Sequence, residues 1–178
     1  MYLGGPNHYG RRRHEPPLSM FVATEVRTST IFGKGLFSAE AVPKGKIICF
    51  FSAGAETITE AEFLQAIRTN NRPIIRTGTR HAGKFFTHGN EHQPYTFLNH
   101  SFTPNLLCHC GMVMARRDIS VEEELTVDYR TLIDDTDLGI YSDAATGRQI
   151  RGFSGRETML RTARELIEIL EGIDGWMG

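Results

Sequence analysis

Three groups of residues carry side chains or backbone freedom that chemistry can use. In "YTFLNHSFTPNL", Tyr95 to Leu106, an apolar run meets Asn99, His100 and Ser101 in succession. Polar groups taken out of water need partners, or cost roughly 1–3 kcal/mol each. Either the fold supplies those partners or a ligand does. An amide beside an imidazole can pair with the edge of a planar heterocycle, or can bond to carbonyls and fix a turn. "EELTVDY", Glu123 to Tyr129, ends in a phenol at the mouth of the core. Such a tyrosine packs with its hydroxyl in water, or it orients a nucleophile from the edge of a pocket. "FGKGLF", Phe32 to Phe37, places two glycines around Lys34 and so allows a sharp bend and a close backbone approach. It is a tight hairpin turn or the rim of a binding site. It is not a dinucleotide fingerprint, because no third glycine follows at the required offset and no helix pattern begins there.

These groups need elements to position them. "MFVATEVRTST" predicts a strand from Met20 to Arg27, and the turn "VPKG" leads into a second strand at Lys46 to Phe51. In "ITEAEFLQAIR", Thr59 and Glu62 form a capping box and Ile58 with Phe63 a hydrophobic staple. The helix that follows sets Phe63, Leu64 and Ile67 on one face. From Asn70 to Gln93 the chain predicts an irregular insert with one short strand at "KFFTH". "LLCHCGMVMA" and "EELTVDY" each predict a strand, and "LIDDTDLG" an acidic loop. The clearest helix is "SGRETMLRTARELIEILEG". Ser154 and Glu157 form its capping box, Met159, Ala163, Leu166 and Leu170 form its stripe, Leu160 and Ile167 widen that stripe, and Gly172 stops it.

Composition excludes several classes. A chain of 178 residues with 40% hydrophobic and 23% charged residues suits one soluble domain. A net charge of -1 gives no bulk field for nucleic acid or an anionic membrane. No apolar run is long enough to span a bilayer. Three cysteines, Cys49, Cys108 and Cys110, are too few for a disulfide framework and point to a reducing compartment. Cys108-His109-Cys110 with His100 is too poor a set for tetrahedral zinc, so no metal is expected and small buried side chains are. The Gly-, Pro- and Arg-rich start lacks the apolar core of a secretory signal. It predicts a flexible arm over residues 1–18, whose Arg11 to Arg13 form only a weak phosphate-binding cluster. A cytoplasmic location is expected, with export as an effector left open.

The Gly-x-Gly turn, then "FLNHS", then "ELTVDY", in this order and with "AVPKGKII" between the first two, resembles the SET domain of protein lysine methyltransferases. The likeness runs from Phe21 to Tyr129. It implies a mainly β fold with flanking helices (α+β): a β-clip-like arrangement of several small sheets, a C-terminal pseudoknot and a terminal α-helix. It implies S-adenosylmethionine as cofactor, a protein or peptide substrate carrying a lysine, and transfer of a methyl group to the lysine amine. On this resemblance Lys34, Gly35 and Leu36, bracketed by Gly33, line the methionine end of the cofactor. Asn99 and His100 hold the adenine end, and Tyr129 is the catalytic tyrosine. The expected organisation is the arm, a SET domain over 19–130 with an insert at 56–94 that shapes substrate choice, and a C-terminal loop and helix over 131–178 that close the cofactor pocket.

The chain departs from the family in places. The zinc modules that many members carry beside the core have no cysteines to build them within this sequence. "RQIRGFSGRETM" and the final helix are the obvious substitute closure. Phe153 there either stacks on adenine or packs. Val127 stands where many members have an aromatic residue linked to product multiplicity, and Thr96 where many have Arg. Glu122 to Glu124 and Asp134, Asp135 and Asp137 either attract a basic peptide or are ordinary solvated acids. Two other readings share the same motifs: a non-catalytic interaction platform on the same fold, and a methyltransferase for a non-protein amine.

Overall fold

The computed structural model describes residues 20–51, 56–82, 85–89, 93–133 and 141–173. The N-terminal arm, Asp134, Asp135 and Asp137 lie outside the described residues. Three small sheets and three helices make up the rest, and no helix among them is long and apolar enough to cross a membrane.

The sheet that carries the site has four strands: β1 (Thr24–Thr28), β2 (Lys34–Ser38), β7 (Asn99–His100) and β10 (Glu124–Val127). Their order is β1-β2-β10-β7. β1 and β2 are an antiparallel hairpin, and β10 adds antiparallel to β2 with Leu125 opposite Leu36. β7 then adds parallel to β10, with Thr126 opposite Asn99 and Val127 opposite His100. Parallel neighbours need a long connection. Here it runs through a second sheet, β3 (Ile47–Phe50), β9 (Met112–Ala115) and β8 (Leu106–His109), in that order. Leu36, Ile48, Leu106, Val113 and Leu125 form the shared core, each contributing roughly 1.5–3 kcal/mol by leaving water.

The third sheet is built by the insert: β4 (Glu56–Thr59), β6 (Phe85–His88) and β5 (Thr79–Ala82). The expected capping box opens α1 (Glu60–Arg68). Thr59 N donates to Glu62 Oε2 at 2.7 Å, and Glu62 N donates to Thr59 Oγ1. The buried face differs from the expected one: Phe63 and Ala66 are inside, Phe63 stacked on Phe86, while Leu64 is exposed. α2 (Arg72–Thr77), with Pro73 in its first turn, was not anticipated, nor was β5. Both are too short for a hydrophobic period to show.

Two further expectations are corrected. Met20 bridges Cys49 and Phe21 N donates to Ile48 O, so the chain lies along β3 before it enters β1; the strand predicted from Met20 begins at Thr24. "LLCHCGMVMA" is a hairpin, β8 to β9, rather than one strand. Cys110 (φ 50°) and Gly111 (φ 83°) form its two-residue loop, both in the left-handed region that such tight hairpins need.

α3 (Gly155–Glu171) starts where Ser154 accepts Glu157 N and ends at Gly172. Only the first half of the expected capping box forms, because Glu157's carboxylate pairs with Arg161. Thr162 and Ile169 are the buried positions, with Leu166 and Leu170 packed beside Leu107 and Met114. Leu160 (41% exposed) and Ile167 (55%) face away, so the core-facing stripe is narrower than expected.

Candidate active site

Asn99 and His100 form the whole of β7, and strand alternation sends their side chains to opposite sides. Asn99 is buried. Its Nδ2 donates to Phe32 O and Lys34 O, each at 3.2 Å, and to Glu124 Oε1 at 2.7 Å. The amide has two hydrogens, so the three acceptors share them. Glu124 also takes the Ser29 hydroxyl, 2.8 Å from both its oxygens. This corner explains the two glycines separately. Gly33 has φ +51°, a backbone position that favours glycine. Gly35 does not; a Cβ there would run into the Glu124 carboxylate. The polar residues after β7 are satisfied in the same way: Asn105 Oδ1 accepts Thr126 N at 2.8 Å, and Asn105 Nδ2 donates to Glu124 O and Glu123 Oε1.

On the other side, His100 Nδ1 accepts the Tyr129 backbone N–H at 3.1 Å. The ring proton therefore sits on Nε2, which is buried with no hydrogen-bond partner among the described residues. Asp128 Oδ1 lies 3.9 Å from Nδ1, too far for a hydrogen bond, and both oxygens of that carboxylate are engaged by Arg130. Burial lowers the His100 pKa, against the opposing pull of Asp128 and Asp143. The ring is neutral near pH 7.

β10 ends at Val127, and Asp128 caps a short 3-10 turn over Tyr129–Thr131 by accepting Arg130 N. The turn aims the Tyr129 ring inward. Its hydroxyl donates to Leu98 O at 2.7 Å, and Tyr141 meets its ring edge-on with centroids 5.6 Å apart. Burial, with Tyr141 nearby, raises the phenol's pKa well above its ordinary value. Tyr129 therefore offers oxygen lone pairs and not a phenolate.

A cavity of about 470 Å3 joins these parts. Phe32, Gly33 and Lys34 of the glycine turn line one side, and the 95–99 segment lines the next. Val127, Tyr129, Leu132, Ile133 and Tyr141 line another, while Ile75, Arg76, Thr77 and Gly78 bring in the insert. Phe51 completes the wall. Of the expected site residues, Lys34, Asn99 and Tyr129 line this cavity. Gly35 and Leu36 stand behind it, Leu36 with its side chain fully in the core. His100 reaches it only through Tyr129. Phe153 is not among the lining residues; the guanidiniums of Arg130 and Arg161 lie 5.1 and 4.5 Å from its ring centroid. No lining residue comes from α3, which packs on β8.

Sequence reasoning missed Glu124 as the fastener of the glycine turn and Tyr95, Tyr141 and Phe51 as cavity walls. The only available signal for Glu124 was its two-residue offset from Thr126 in β10, which puts both on one face. Nothing local marked the aromatic residues. Glu122 and Glu123 do not form a free acidic patch: they pair with Arg27 and Arg117.

S-adenosylmethionine, the cofactor that the resemblance implies, can be set against the dimensions and lining of this cavity. Its volume falls within the range of small-molecule sites, about 300–1,000 Å3. Phe32, Tyr95, Tyr129 and Tyr141 line it with aromatic rings, and a few polar groups converge among them, as in sites for small organic molecules. The residues present fit the group.

Comparison with known proteins bears on the same segments. The SET domain family matches residues 33–130. Among solved structures, the Neurospora SET domain protein DIM-5, a histone lysine methyltransferase, aligns with a TM-score of 0.47 and 20% identity. The alignment covers 62% of this chain and 53% of that one, so the chain matches about half the length of that relative. No curated protein matches by sequence.

Proposed function

The chain belongs to the SET-domain family, and on that footing we propose that it transfers a methyl group from S-adenosylmethionine to the side-chain amine of a lysine in a protein. One observation carries the reading: a single cavity joins the glycine turn, the Asn99 segment and the Tyr129 phenol. The bound cofactor supplies an electrophilic methyl group on a sulfonium. The protein's part is to align an amine with it and to keep that amine uncharged. Free lysine titrates near 10.4, so at neutral pH the inert ammonium predominates. Walls made by Phe51, Tyr95, Leu98 and Tyr141 disfavour that charged form. Alignment alone contributes roughly 7–11 kcal/mol when the geometry is near attack.

Tyr129 is suited to orientation. Its proton is committed to Leu98 O, so the hydroxyl lone pairs are left to accept an N–H of the incoming amine or to face the methyl group. We assign cofactor contact to the backbone at Lys34 and to the 99–100 segment, with Gly35 and Leu36 holding that backbone in place. The C-terminal loop, through Leu132, Ile133 and Tyr141, is the closing element, and the insert supplies the substrate side through α2.

Calorimetry with S-adenosylhomocysteine, followed by incubation of labelled cofactor with cell lysate, tests the reading. Binding with a labelled protein band supports it. Binding without transfer favours an interaction platform, labelled small molecules favour a non-protein amine, and no binding removes the cofactor role.

A further inference from the structure

The β8–β9 loop lies outside the cavity and plays no part in the function proposed above. Cys108, on β8, is buried in the core, whereas Cys110 in the loop is exposed. The Cys110 sulfur lies 3.4 Å from Met159 Sδ on α3 and 3.8 Å from His109 Nε2.

The tautomer of His109 follows from its neighbours. Thr162 Oγ1 donates its one hydrogen to Thr158 O at 2.8 Å. It can therefore only accept from His109 Nδ1, 2.8 Å away, which must carry the ring proton. Nε2 is left as a bare lone pair on the Cys110 side. Thr162 is almost wholly buried, so the ring is held by a fixed partner, as the imidazole of a metal ligand usually is.

We propose that Cys110 Sγ, His109 Nε2 and Met159 Sδ form a three-coordinate site for a soft monovalent cation, copper(I). Thiolate and thioether donors select that ion over harder ones, and imidazole accepts it. Structural zinc would call for a fourth protein ligand. Among the described residues no group of three His, Cys, Asp or Glu is placed to hold a metal, so the thioether is what completes this set. Metal–sulfur bonds of about 2.3 Å and a metal–nitrogen bond of about 2.0 Å, opened to 120°, separate sulfur from nitrogen by about 3.7 Å and the two sulfurs by about 4.0 Å. The 3.8 Å between Cys110 Sγ and His109 Nε2 already meets the first. The second needs Met159, an unbranched and adaptable side chain, to withdraw by about half an ångström. On binding, the Cys110 thiol releases its proton to solvent, and the thiolate's charge balances that of the ion.

The full chain, reduced and kept anaerobic, is titrated into the copper(I) complex of bicinchoninate. One equivalent of copper should be withdrawn. Cys110→Ser should lose that equivalent, while Met159→Leu and His109→Asn should each weaken it at least tenfold with thermal melts unchanged. X-ray absorption of the loaded protein should show two sulfurs and one nitrogen. Unchanged affinity in Met159→Leu would reduce the site to an adventitious thiol and overturn the proposal. So would retention of the equivalent in Cys110→Ser, or a shell without the second sulfur. If His109→Asn melts early, the absorption spectrum of the parent protein alone decides.

Discussion

Asn99 and His100 are neighbours on a strand of two residues, yet they belong to different kinds of site. The Asn99 side is closed. Its amide is bonded to Phe32 O, Lys34 O and Glu124, and Glu124 is in turn held by Ser29. The His100 side is open: one nitrogen supports Tyr129, and the other is buried without a protein partner among the described residues. The fold thus uses one half of the dipeptide to fix the glycine turn and leaves unspent hydrogen-bonding capacity in the other, next to the residue proposed to act on substrate. A motif that reads as one unit in sequence is two devices in space.

The comparison can be broken most severely at Tyr129. Tyr129→Phe removes the oxygen lone pairs and leaves the ring, so methyl transfer should fall by about a hundredfold, near 2.7 kcal/mol of barrier. S-adenosylhomocysteine affinity should stay within about threefold. Comparable loss in both would return Tyr129 to a packing role.

The closed side is tested next. Gly35→Ala drives a methyl group into the Glu124 carboxylate and should cost about 1–3 kcal/mol in urea unfolding. The same change in a Glu124→Ala background should cost much less. Equal costs in both backgrounds would mean that the close approach to Glu124 is not what selects glycine. Asn99→Ala removes the buried donor shared by Phe32 O, Lys34 O and Glu124 and should cost about 1–3 kcal/mol, again by urea unfolding. A neutral result would show that the turn holds itself.

The open side makes a smaller, pH-dependent prediction. His100 has a folded pKa below its unfolded value, so the unfolded chain takes up the proton first as pH falls. Its stabilising contribution is complete above the unfolded pKa of about 6.5 and is lost as pH drops through the folded value. Protonation also places a donor at Nδ1 against the Tyr129 N–H. His100→Phe keeps a ring but removes both nitrogens, and should flatten melting temperature against pH below neutrality. His109, shifted in the same direction by burial, leaves a residual slope. An unaltered profile would locate the titration elsewhere.

The smallest effect belongs to the rim. Arg117 holds Glu123 at 2.6 Å and, with Asn105, lowers its pKa to about 2. That contribution is present above about pH 4.3 and disappears as pH falls through 2. Arg117 is exposed and the pair sits at the surface, with Glu123 part-buried, so Arg117→Ala should cost no more than about 1 kcal/mol at pH 7, read from denaturant midpoints.

What could be read from the amino acids alone was local. Thr59 and Glu62, or Ser154 and Glu157, are three residues apart, so a cap and the helix it starts are written in one short window. The order of the glycine turn, the Asn-His pair and the final tyrosine was enough to recognise the family. Pairing across the molecule was not legible. Glu124 meets Asn99 and Gly35 only because β10 lies between β2 and β7, and Tyr141 meets Tyr129 across a separation of twelve residues. Likewise Met159 reaches Cys110 only because α3 packs on β8. Contacts within one helical turn are set by bond geometry that every chain shares. Contacts between distant segments depend on which apolar faces are buried together, and many different sequences satisfy that condition.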